Sequence, residues 1–122
     1  MTQTIYSRIG SSQKILCYRE GATPVYSVSL RLPHSSSTYY IYNDFRQTDE
    51  LDEGKYFLDM DDFSVTIRDI NPSDNGSYVC SSFNIEDFRD ENFITHVITY
   101  CKCIFYGFII YYIINNQFYK NV

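Results

Sequence analysis

Short runs of alternating apolar and polar residues, closed at near-regular intervals by glycine, proline, asparagine or aspartate, constrain this chain more than any other feature. Phe63-Ser64-Val65-Thr66-Ile67-Arg68 alternates without a break, and a two-residue period suits a strand with one buried face. Gln13 to Tyr18 places Ile15 and Cys17 on one face. Val25 to Leu32 sets Tyr26, Val28 and Leu30 against Ser27, Ser29 and Arg31. Pro33 ends that run, because proline cannot donate to a ladder. Thr38 to Tyr42, Gly54 to Leu58, Ser77 to Ser82 and Phe93 to Tyr100 read as further strands. Asn43 to Glu53 reads as a polar loop or edge strand, and Phe83 to Asn92 as a polar loop. Asn71-Pro72-Ser73-Asp74-Asn75-Gly76 is a dense turn signal. About eight strands at this spacing predict an antiparallel sandwich or barrel, and no run forms a convincing four-turn helix.

The 122 residues suffice for one domain with its own core and are too few for two. With 13 Tyr and 9 Phe, the composition favours pleated, half-buried surfaces. The formal charge is −5, with acid gathered between Asp44 and Asp62 and between Glu86 and Glu91. Without a Lys/Arg stripe to neutralise phosphates, nucleic acid is excluded as a partner, and the acid offers no attraction to anionic lipid. The acidic runs Asp49, Glu50, Asp52, Glu53 and Asp59, Asp61, Asp62 raise calcium as a candidate, but Asp59-Met60-Asp61-Asp62 lacks the glycine-enforced turn that gathers six or more oxygens around the ion. They read as solvated. His34 and His96 stand apart from any nucleophile or carboxylate pattern, and no catalytic or phosphate-binding motif is present. The chain therefore reads as non-catalytic, with no cofactor and no metal.

Four cysteines, Cys17, Cys80, Cys101 and Cys103, are spaced wide and then close, which is not a zinc pattern. Cys17 and Cys80 lie in strand-like contexts, so a long-range disulfide and an oxidising compartment are the better reading. Met1 to Gly10 is polar and lacks the apolar stretch of a signal peptide, so either a leader has been removed or the product is partial.

Asp74-Asn75-Gly76-Ser77-Tyr78-Val79-Cys80 matches Asp-x-Gly-x-Tyr-x-Cys, and here the chain resembles immunoglobulin V-type domains. The resemblance covers roughly residues 3 to 100 and implies an all-β, two-sheet antiparallel Greek-key sandwich. Cys17 and Cys80, 63 positions apart, would then join the two sheets. Tyr78 would form a tyrosine corner. Gly54-Lys55-Tyr56 resembles the segment that opens strand D, which implies a structural salt bridge between Lys55 and Asp74. Two departures stand out. The strand C tryptophan is missing, with Val28 or Leu30 in its place, and Cys101-Lys102-Cys103 replaces the Phe-Gly-x-Gly bulge of rearranging antigen receptors.

By the same resemblance, binding would use the end loops and the exposed GFC sheet. The loops are Arg19 to Pro24, Asn43 to Gln47 and Phe83 to Asn92, with Arg19, Glu20, Tyr42, Phe45, Phe83, Phe88 and Phe93 as candidate contacts. The implied role is the ligand-binding domain of a germline-encoded immune-type or adhesion receptor at the cell surface. Its partner would be a protein, another immunoglobulin-superfamily member included, with a dimer through the GFC sheet as a further expectation. A viral membrane glycoprotein similar to poxvirus hemagglutinins is the alternative. An enzyme on a sandwich scaffold would need a pocket with a perturbed acid or base.

Two features lie outside this frame. Asn75-Gly76-Ser77 is an N-glycosylation sequon. Residues 101–122, after a domain spanning 1–100, contain the apolar-aromatic run Ile104 to Ile114, shorter than the roughly 20 residues of a bilayer span. A membrane-proximal or truncated anchor with palmitoylated Cys101 and Cys103 is the favoured reading. A strand extension and an aberrant tail are the others.

Overall fold

The computed structural model describes residues 2–17, 25–86, 88–105 and 108–113. In chain order the elements are β1 (Thr2–Arg8), β2 (Gln13–Ile15), β3 (Val25–Arg31), β4 (Thr38–Asn43), β5 (Arg46–Gln47), β6 (Tyr56–Asp59) and β7 (Ser64–Ile67). A single 3₁₀ turn (Pro72–Asp74), β8 (Gly76–Asn84), β9 (Arg89–Phe105) and β10 (Phe108–Ile113) follow. The larger sheet runs β1-β9-β8-β3-β4-β5, with β10 also on β9, and the smaller runs β2-β7-β6. β1 lies parallel to β9, and the other pairs are antiparallel. Among the described residues no helix is long and apolar enough to cross a membrane.

The alternation in the sequence fills the space between the sheets. Ile15, Leu58, Val65 and Ile67 face inward from the smaller sheet, and Val28, Leu30, Tyr78, Cys80 and Val97 from the larger. Each aliphatic side chain buried this way contributes roughly 1.5–3 kcal/mol. Leu30 lies directly opposite Cys80 across the β3–β8 ladder.

Three elements depart from the sequence reading. β1 occupies a stretch read only as polar. Its inward positions include Gln3 and Ser7, held by Gln3 Nε2 donating to Thr95 Oγ1 (3.3 Å) and Ser7 Oγ donating to Gln13 Oε1 (3.1 Å). The strand is kept by its ladder and these bonds more than by apolar burial. The segment read as a long loop after Phe83 is mostly paired strand: Phe83 faces Asp90, Ser81 faces Asn92, and among the described residues of the segment only Ile85, Glu86 and Phe88 are turn. Its polar residues include the outward row of a ladder. Finally, β9 crosses position 100 without interruption and pairs with β10 through Tyr100–Ile113 and Cys101–Tyr112.

At the β6–β7 turn, Lys14 Nζ sits 2.6 Å from Asp62 Oδ2 and 3.5 Å from Asp59 Oδ2. Burial alone would raise the Asp62 carboxyl. Hydrogen bonds from Lys14 and from the Ser64 hydroxyl and N–H outweigh it and bring it to about 2. A folded-state value below the unfolded one adds stability above pH ~4, and that stability is lost as pH falls towards 2. Both side chains are about half exposed (48% and 47%), so water screens the gain to under about 1 kcal/mol. Asp62→Asn is therefore less stable than the parent by that amount at pH 7, and in thermal melts the gap narrows below pH ~4 and closes as pH falls through about 2.

Candidate functional site

The basal end is built around one carboxylate. Asp74, buried at the end of the 3₁₀ turn, receives Lys55 Nζ at 2.6 Å and the Asn71 N–H at 2.9 Å on Oδ2. Lys55 Nζ also donates to the Asp69 carbonyl at 3.0 Å. The Tyr78 hydroxyl donates to the Asp74 carbonyl at 2.7 Å, so charge and corner meet on one residue. Burial, with the Asp74 charge adding to it, pushes the Tyr78 phenol far above its ordinary range and keeps it a neutral donor. Across the core, the Cys17–Cys80 disulfide joins the chain after β2 to β8, with Cα atoms 4.9 Å apart.

The opposite end carries aromatic rings. The two-residue turn Asp44-Phe45 joins β4 to β5, and both residues adopt left-handed backbone (φ 51 and 61). A primed turn of this kind matches the strand twist, but it is strained for a residue as bulky as phenylalanine. Phe45 meets Tyr26 edge-on at 5.3 Å, Tyr26 meets Phe83 at 6.1 Å, and Phe83 meets Phe88 at 6.2 Å. Phe88, at the β8–β9 turn, is also left-handed (φ 49). The inner rings are half-buried, while Phe45 and Phe88 are 49% and 78% exposed. One aromatic run thus connects two turns and leaves a ring open at each end. Exposed Asp44, Glu86 and Asp90 border it.

A family profile for the immunoglobulin V-set domain matches residues 7–98. This chain is an immunoglobulin V-set domain. A search of curated protein sequences finds no match. Solved structures with the same fold include Tim-1 (TM-score 0.61, 19% identity, covering 79% of this chain and 90% of that one). The first Ig-like domain of human CD48 antigen aligns at TM-score 0.59 with 10% identity, over 80% and 81% of the two chains. Tim-4 in complex with phosphatidylserine aligns at 0.56 with 19% identity, over 80% and 98%. At these identities the likeness is one of fold.

Within this V-set domain the candidate contacts separate. Phe45, Phe83 and Phe88 come together in the aromatic run. Tyr42 and Phe93 do not: Tyr42 is buried against Phe63 (5.3 Å), and Phe93 is buried opposite Cys80, so both belong to the interior. Their strand parity is inward in each case. Arg19 and Glu20 lie outside the described residues. Tyr26 was missed as a site residue. It is the extra residue of a bulge between Val25 and Ser27 opposite β8, and the bulge breaks the simple alternation that grouped it with Val28 and Leu30. Its only sequence signal is an aromatic side chain next to the loop ending at Pro24. On the outer face of the larger sheet, Tyr6 and Tyr40 are exposed, and Ser77 Oγ lies 2.6 Å from His96 Nδ1. Among the described residues no cluster of three or more His, Cys, Asp or Glu is placed to hold a metal ion.

Proposed function

We propose that this V-set domain is the ligand-binding domain of a cell-surface receptor of the immune or adhesion type, and that it grips a protein partner with its aromatic end. The observation that carries the reading is the run Phe45–Tyr26–Phe83–Phe88, exposed at both tips and held in place by its inner rings. Rings fixed before contact lose little rotamer freedom on binding, and large apolar area at low entropic cost is what interface anchors provide. The acidic border of Asp44, Glu86 and Asp90 favours a basic rim on the partner, which raises the rate and selectivity of encounter. It also favours a protein over an anionic lipid, although one fold neighbour is Tim-4 in complex with phosphatidylserine. The Cys17–Cys80 disulfide supports an extracellular location, because such bonds persist in oxidising compartments. Residues 101–122 are the membrane-proximal segment in this reading.

A multimer of the domain, screened against displayed cell-surface ectodomains, tests the reading. For a captured partner, Phe45→Ala and Phe88→Ala each weaken binding at least about tenfold, or 1.4 kcal/mol, while Tyr6→Ala leaves it unchanged. If Tyr6→Ala abolishes binding and both phenylalanine variants bind like the parent, the ligand sits on the sheet face and the aromatic end has no such role.

A further inference from the structure

The sequon Asn75-Gly76-Ser77 is not used by the aromatic end, and its geometry divides the labour of one side chain. Asn75 leaves the 3₁₀ turn with extended backbone (φ −64, ψ 136) and leads into β8. The β8–β9 ladder starts at Gly76–Val97, so the Thr99 N–H lies past its end. Asn75 Oδ1 accepts that N–H at 3.0 Å, standing in for the main-chain acceptor that β8 no longer supplies. The other half of the carboxamide is left over. Among the described residues no hydrogen bond engages Asn75 Nδ2, and the residue is half-buried rather than enclosed.

We propose that Asn75 Nδ2 carries an N-linked glycan. The acceptor chemistry needs the amide nitrogen and the hydroxyl two residues on. The amide nitrogen attacks the anomeric carbon of a lipid-linked oligosaccharide pyrophosphate. The new N–C bond replaces the sugar C–O bond, the lipid pyrophosphate leaves with that electron pair, and a base takes the amide proton. In the folded domain Ser77 Oγ is held by His96 Nδ1 at 2.6 Å, so the transfer takes place on the unfolded chain, before β8 docks on β9. The finished glycan is compatible with the fold, because only Oδ1 is used structurally. It projects from the basal end. β8 then carries the chain about 27 Å to the aromatic end, so the glycan leaves that surface clear. The inference rests on the secretory location in the proposed function, not on the ligand.

The full chain, expressed behind a secretory leader in mammalian cells, is mapped by peptide mass spectrometry before and after peptide:N-glycosidase treatment. Parent chain with glycan at Asn75 is the expected result. Asn75→Asp keeps the Oδ1 acceptor and loses the glycan, with its unfolding midpoint matching that of the enzymatically deglycosylated parent. Ser77→Ala also loses the glycan. Because transfer precedes folding, intracellular material is mapped as well, and poor secretion does not hide the result. Parent chain that enters the secretory pathway with Asn75 unmodified overturns the proposal. Glycosylated chain that binds no ectodomain leaves this inference standing and counts against the binding reading instead.

Discussion

Urea unfolding of the Cys17→Ala/Cys80→Ala double variant shows a loss of about 4 kcal/mol against the parent domain. The disulfide ties two residues 63 positions apart, and in the chain-entropy model closing a loop of that length removes about this much freedom from the unfolded chain. Both cysteines are fully buried between the sheets, so the variant also loses packing around Leu30 and Ile15. Refilling one site with valine, as Cys17→Val/Cys80→Ala, recovers part of that packing share and none of the tether. Because the tether acts on the unfolded state, the denaturant slope rises in both variants as the unlinked chain exposes more surface. A domain of this size has roughly 5–15 kcal/mol in hand, so the double variant sits near the edge of folding. A loss below about 1 kcal/mol with an unchanged slope would show that the unfolded chain is already compact across this loop, and the entropic account would fail.

The parts of the fold legible in the sequence were those whose chemistry is local or rigidly spaced. Asp74, Tyr78 and Cys80 fall within one turn and one strand, so a turn signal followed by a tyrosine two residues before a cysteine marks the basal corner in the sequence alone. The core of β7 was legible because Val65 and Ile67 alternate with polar neighbours without a break. β1 was not, because Gln3 and Ser7 point inward and are satisfied by hydrogen bonds that no hydropathy pattern records. The aromatic end was half legible. Phe45 and Phe88 stand in turns, where exposure can be read from polar neighbours. Tyr26 depends on a bulge, and Tyr42 and Phe93 depend on strand parity carried past segments read as loops. A one-residue change of register reverses every inward and outward assignment, so a single undetected bulge is enough to misplace a ring.

Gly76→Ala is the second large effect, a loss of about 4 kcal/mol read as a fall in the urea midpoint with the sequon left intact. Two independent costs add. Gly76 has φ +137, a backbone region that an L side chain rarely adopts, worth about 1–3 kcal/mol of strain. A Cβ placed there would also lie 2.6 Å from Pro33 Cβ and 3.1 Å from Pro33 Cγ, where overpacking costs about 1–3 kcal/mol. The proline ring cannot rotate away as a long side chain would, and it is fixed where β3 ends and the turn to β4 begins. The two costs separate in a double-mutant cycle. Pro33→Gly/Gly76→Ala recovers the steric share, because Cβ and Cγ of residue 33 are both gone, but not the backbone share, because φ must stay positive for β8 to enter its ladder with Val97. If Gly76→Ala alone is as stable as the parent, the entry into β8 is not bound to this conformation, and the turn that sets Tyr78 over Asp74 has more freedom than its geometry indicates.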